Sequence, residues 1–306
     1  IVGGGVTSYA GGGSPLLWQH LFWFLAHPEV YVLILPAMGV VGEIIANNTR
    51  KPLWGYKPLV YSVIFLGFTS FIVWAHHMFL TGMGETMSKF FAITTMIISV
   101  PSVVILSCLV ISLWGGSIRF NTPMLFALSF LPMFGMGGVT GLPLGLPLSD
   151  IHLHDTYYVI AHFHSILSLG AMVSILVGVL YSQEYLGLSG LPVGSGYLGV
   201  YLYLGVCIGV VVTFLPLHYL GYNTQPRRIL DYPDNYNCWS ILSSLGSGTT
   251  VLSLLVIPYI FPPNIHGNSP TVGITPGVVL GGIGSVGTGV YSRSRTLRPA
   301  IPYTHY

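Results

Sequence analysis

The sequence predicts an all-α membrane protein, a bundle of about seven transmembrane helices, from three observations. Only 6% of the 306 residues are charged while 52% are hydrophobic, against about 25% charged in a soluble domain. Apolar runs long enough to cross the roughly 30 Å of a bilayer, about 20 residues each, recur along the chain. The polar segments between them alternate in charge: Arg50, Lys51, Lys57, Arg119, Arg293, Arg295 and Arg298 fall on one side, and Lys89, Arg227 and Arg228 on the other. The positive-inside rule places the first group inside and the His152–Asp155 segment outside. A net charge of +2 offers nothing to a polyanion, so nucleic acid is not a partner. Cys108, Cys207 and Cys238 lack any paired spacing, which leaves neither a disulfide framework nor a zinc site.

The spans expected are 16–46, 58–81, 90–114, 122–140, 157–183, 197–220 and 237–262. Residues 1–15 form a glycine-rich lead-in, 16–262 the bundle and 263–306 a glycine- and proline-rich extension. The first span ends at Asn47-Asn-Thr-Arg-Lys-Pro52, the third at Gly115-Gly-Ser117, and the fourth at the proline and glycine run from Gly141 to Pro147. Pro101 is expected to kink the third span and free a carbonyl. The fourth, with Gly135-Met-Gly-Gly138 at its end, reads as packing. The sixth holds His218 near its end, an interfacial position, and the seventh reads as support.

Chemistry-bearing residues cluster on four of these segments. His27 and Tyr31 stand four apart, on one helix face, whereas Glu29 points away from that face and needs a partner, a water chain or a proton at membrane depth. His76 and His77 diverge by about 100° on a regular helix, so both reach one ion only if it lies between them or the helix is distorted. With His27 they would make a three-imidazole site suited to copper, zinc or iron alike. His162 and His164 point about 200° apart on one helix, which could then hold two cofactors. His152, His154 and Asp155 precede that helix, where imidazole and carboxylate can meet a hard cation or a cofactor's polar edge. Arg227 and Arg228, on the same outer side, suit carboxylates or serve as an interfacial anchor.

His27-Pro-Glu-Val-Tyr31, Trp74-Ala-His-His-Met-Phe79, His154-Asp-Thr-Tyr-Tyr158, Ala161-His-Phe-His164 and Pro226-Arg-Arg228 with Asp231-Tyr-Pro-Asp234 follow one another in the order and spacing of a known family. Over roughly residues 11 to 262 the chain resembles the C-terminal portion of cytochrome c oxidase subunit I, a heme-copper oxygen reductase. The resemblance implies part of a twelve-helix bundle, with His27, His76 and His77 binding copper. His162 would be the axial ligand of a high-spin heme (heme a3) and His164 one axial ligand of a low-spin heme (heme a). It implies that Tyr31 joins His27 covalently and supplies an electron and a proton to dioxygen, that Glu29 passes protons onward, and that His154 and Asp155 hold magnesium. Asp150, Arg227 and Arg228 resemble groups near the heme propionates. Dioxygen would be reduced to water with coupled proton translocation, in the mitochondrial inner membrane or a bacterial plasma membrane.

The resemblance also implies partners. A separate N-terminal portion of subunit I would supply about five helices and the second low-spin ligand, a copper-bearing subunit would admit electrons, cytochrome c would donate them, and lipid would surround the bundle. The chain departs from the family at Ile105, where a lysine of a proton pathway is usual, and at Gly42, where serine is common. A water chain from Glu43 past Ser102 to Tyr31 is the route expected instead. Rival readings are a quinol-oxidising relative, a nitric oxide reductase, against which Tyr31 argues, and a non-catalytic transporter or channel, which leaves His162 and His164 unexplained.

Overall fold

The computed structural model describes residues 13–186 and 197–257. The extension expected over 263–306, most of the lead-in and the end of the seventh expected span lie outside those residues. α1 (Pro15–Thr49) opens with Ser14 accepting from the Leu17 amide and Pro15 at the first turn, and closes at Arg50 in the left-handed region. Ser14 satisfies an amide that a helix start leaves bare, and Pro15 has no amide to satisfy. At 35 residues α1 is about 52 Å long, and it continues through Pro28 and Pro36.

α2 (Tyr56–Thr69) gives way to tighter turns over Ser70–Ile72 and Trp74–Met78. α3 (Glu85–Ile111) runs through Pro101, and α4 (Thr122–Leu144) is followed by the short α5 (Pro147–Leu153). α6 (Tyr157–Ile166) passes through one wide turn, Leu167–Met172, into α7 (Val173–Leu186). α8 (Tyr197–Tyr222) and α9 (Asn237–Leu254) complete the bundle.

Among the described residues five helical stretches are long and apolar enough to cross a membrane: α1, α3, α4, Tyr157–Tyr181 and α8. The other two of the seven expected spans fall on shorter or less apolar helices. The second expected span is an apolar helix only over Tyr56–Ile72, because the chain tightens before its histidines. The seventh falls on α9, which runs unbroken past Ser240, Ser243, Ser244 and Ser247, residues that lower its hydropathy. The glycine and proline run is not one long turn either: α4 absorbs Gly141 to Leu144, and Pro147 starts α5 at the position where a missing amide costs nothing.

Ile34, Met38, Val41 and Ile45 of α1 form one core with Ile105 and Leu109 of α3, Phe126 and Phe130 of α4, Val177 of α7 and Leu202 of α8. α8 and α9 meet through small residues. A Cβ on Gly205 would strike the Ser253 hydroxyl, one on Gly209 would strike Thr250, and one on Gly246 would strike Thr213. Such close backbones gain dispersion contacts where no hydrophobic force drives helices together. The loops before α6 and after α8 are tied by an antiparallel bridge, Thr156 to Pro226, with the Tyr157 amide donating to the Gln225 carbonyl.

Candidate functional site

His27, buried on α1, meets His76 and His77 from the turn Trp74–Met78. The His77 Nε2 lies 3.2 Å from His27 Nδ1 and 3.0 Å from His76 Nε2. The adjacent histidines converge because the chain between α2 and α3 abandons α geometry, the distortion their spacing required. Thr95 donates to the Phe91 carbonyl at 2.5 Å, so its oxygen accepts from His76 Nδ1 at 3.0 Å. His76 Nε2 then carries a lone pair aimed at the cluster.

One ligand atom from each histidine fits within 4.8 Å of the others. Nitrogens at about 2.0 Å from one ion in a trigonal plane stand about 3.5 Å apart, so the donor set fits a single metal. Converging lone pairs repel without a cation between them. Trp23 stacks on the His77 ring at 4.0 Å and 15°. The Tyr31 ring lies 4.9 Å from that of His27, whose Nε2 is buried without a hydrogen-bond partner.

His162 and His164 leave α6 toward different helices, as their spacing dictates. His162 Nδ1 donates to the Gly137 carbonyl at 2.9 Å and lies 3.2 Å from Thr140 Oγ1, both on α4. Gly141 makes the room, since a Cβ there would lie 2.6 Å from the imidazole Cε1. His164 instead stacks on Phe214 of α8 at 5.4 Å and 9°, and its Nδ1 donates to the Ile160 carbonyl at 2.9 Å. A carbonyl only accepts, so both rings carry their proton on Nδ1 and present Nε2 as a free ligand.

The outer loops bring a third group together. Arg227 binds Asp155 Oδ1 through Nε at 2.8 Å and through a terminal nitrogen at 2.7 Å, and its amide donates to the Asp155 carbonyl at 2.9 Å. His154 lies 3.5 Å from Asp150 and 3.7 Å from Asp155. The Asp150 hydrogen bond raises the imidazole's pKa, against a smaller opposing effect of burial. Burial works against the Asp155 charge, yet the Arg227 hydrogen bond and the charges of His154, Arg227 and Arg228 hold that carboxyl below its ordinary range. Asp150 is 3% exposed beside His154, and Asp155 is engaged by Arg227, so among the described residues this group is gathered less tightly than the three histidines.

Not every expected residue joins these groups. His152 is exposed on α5, two positions beyond Asp150, and takes no part; the loop expected there is helical and turns it outward. Arg228 is exposed in the left-handed region. Glu29 is exposed on the apolar face of α1 that also carries Leu25, Val32 and Leu33. Glu43 is exposed near the inner end of α1, Ser102 donates to the Ile98 carbonyl at 3.1 Å, and Ile105 is buried in the core.

His218 is 6% exposed, edge-on to the Tyr158 ring, and donates from Nδ1 to the Phe214 carbonyl. α4 is more than packing, because Gly137, Thr140 and Gly141 seat His162. Thr95, Thr140 and Trp23 carried no signal beyond their positions; Gly137 and Gly141, four apart, were the one legible hint of a close approach.

Residues 2–249 match the family described as Cytochrome C and Quinol oxidase polypeptide I. The chain is 42% identical over 246 residues to cytochrome c oxidase subunit 1 of Cereibacter sphaeroides, covering 80% of this chain and 43% of that one. It is 41% identical over 251 residues to the subunit of that name from Eremothecium gossypii, covering 82% and 46%. It thus spans less than half the length of these relatives. A heme-copper terminal oxidase dimer solved by cryo-EM shares the fold, with a TM-score of 0.71 and 20% identity over 83% of this chain and 51% of that one.

Proposed function

This chain belongs to the cytochrome c and quinol oxidase polypeptide I family, and on that premise we propose that it is the C-terminal part of the catalytic subunit of a cytochrome c oxidase. The observation that carries the reading is the convergence of the His27, His76 and His77 imidazoles, which supports a metal site. His162, whose Nε2 is free to ligate, supports a heme site in the same bundle.

In this reading His27, His76 and His77 hold copper, His162 holds a high-spin heme a3, and His164 holds a low-spin heme a. His154 and Asp155 hold magnesium, while Asp150, Arg227 and Arg228 stand by the heme propionates. When bound, the hemes and copper supply the electron transfer and dioxygen reduction that no side chain performs. The chain's own work is positional and protonic. Gly137 and Thr140 fix the His162 tautomer, Thr95 fixes that of His76, and the Tyr31 phenol stands beside His27 to give a proton and an electron.

The orphaned His27 Nε2 is the atom the covalent link to Tyr31 would use. Glu29 passes protons onward, and the exposed face of α1 that carries it is covered by the N-terminal portion of the subunit, with about five helices and the second low-spin ligand. Other partners are the copper-bearing entry subunit, cytochrome c as donor, and lipid, in the mitochondrial inner membrane or a bacterial plasma membrane.

Reduced-minus-oxidised visible spectra of the purified complex test the reading. Two a-type signals are expected, the low-spin one lost in His164→Ala and the high-spin one disturbed in His162→Ala. A complex without heme would overturn it. Turnover with ferrocytochrome c against turnover with a quinol assigns the donor, and mass spectrometry of the complex is expected to find the chain that supplies the remaining helices.

A further inference from the structure

The stretch carrying His76 and His77 is weakly held by its own backbone. From Ser70 to Met78 it consists of tight turns, with the His76 amide on the Val73 carbonyl at 3.2 Å. Bonds of this kind are poorer than α ladders and rarely persist over long runs. Tertiary contacts must therefore set the two imidazoles relative to His27. Along one face of α1, His20, Trp23, His27 and Tyr31 recur at helical spacing. Trp23 stacks on His77, and His27 touches it.

His20 makes the remaining tie. Trp74, the first residue of the turn that holds both histidines, donates its indole N–H to His20 Nδ1 at 3.2 Å, across 54 positions of sequence. The indole is wedged edge-on between Phe24 at 5.1 Å and Phe91 at 4.9 Å. Trp offers a donor only, so His20 Nδ1 is the acceptor and its proton sits on Nε2.

We propose that His20 is a positioning residue for the three-imidazole metal site, acting through Trp74 to lock the His76–His77 turn onto α1. The inference rests on the copper reading above. The imidazole of His20 touches no metal ligand; it fixes the residue two positions before His76, and a sub-ångström shift there separates His76 and His77 from His27. Partners outside the ligand set commonly govern metal affinity about 10- to 100-fold.

The test uses the purified complex, with copper per heme measured before and after incubation with a copper chelator, and the visible heme spectrum recorded alongside. His20→Ala and Trp74→Phe are expected to lose copper about tenfold faster than the parent while both heme signals persist. Trp74→Phe keeps the aromatic wedge and deletes only the donor, so it decides the matter if His20→Ala fails to assemble. His20→Asn, which can offer an acceptor oxygen near the Nδ1 position, is expected to retain copper. Copper retention equal to the parent in Trp74→Phe, or loss in His20→Asn equal to that in His20→Ala, overturns the proposal. A parent complex with full heme and no copper overturns the copper reading and this inference with it, whereas a copper-replete parent with unaffected variants overturns this inference alone.

Discussion

Two histidine pairs are placed by opposite means. His162 and His164 use a regular helix: two positions on α6 send one ring to α4 and the other to α8, and each Nδ1 is fixed by a backbone carbonyl. His76 and His77 sit where the helix is broken, and adjacent residues on a regular α-helix would diverge by about 100°. Their rings converge only through the tight turns Trp74–Met78, and side chains from α1 and α3 must fix what the backbone leaves loose. Regular geometry separates ligands, and irregular geometry gathers them at the expense of backbone support.

The comparison can be broken at several points. The largest effect is expected from Gly141→Ala, because the added Cβ lies 2.6 Å from the His162 ring and α4 cannot retreat without opening the core. Overpacking of this kind costs about 1–3 kcal/mol. The high-spin heme signal should be lost while the low-spin signal survives, and visible spectra check both. An unperturbed high-spin signal would mean that α4 does not seat His162.

Thr95→Val comes next. It removes the acceptor that fixes the His76 tautomer, and copper retention under chelation should fall about tenfold, with Thr95→Ser restoring it. Retention unchanged in Thr95→Val would show that the turn orients His76 unaided.

Asp155→Asn should have a smaller effect, less than about 1 kcal/mol, because the carboxylate is more than half exposed and its pair with Arg227 is screened by solvent. Its folded pKa is depressed, so the stabilisation is present above about pH 4 and is lost as pH falls through the folded value. Protease cleavage within residues 223–236 should rise at acid pH in the parent and be already raised in the variant. Smallest of all, Glu43→Gln and Ser102→Ala should slow turnover only a few-fold, and unchanged rates in both would end the water route past Ser102.

Much of the site was legible because helical periodicity is a local property. The four-residue step from His27 to Tyr31 and the two-residue step from His162 to His164 needed no tertiary information. The packing of His218 was unreadable for the converse reason: a histidine near a span end has the same local sequence whatever ring it meets, here that of Tyr158. Thr95 and Thr140 were unreadable as orienting groups, because a threonine beside an apolar run most often bonds its own helix, which both of these also do.

The sequence by itself determined the membrane class, the family and the spacing of the candidate histidines, since charge depletion, hydrophobic length and residue spacing act along the chain. Only the tertiary structure decided that α2 stops at Thr69, that α5 exists and buries Asp150, that Asp155 is paired with Arg227, and that Trp74 reaches His20. The physical reason is common to all four. A short apolar stretch has nearly equal local free energies as α-helix, tight turn or loop, and the balance is tipped by packing and hydrogen bonds to residues as many as 54 or 72 positions away.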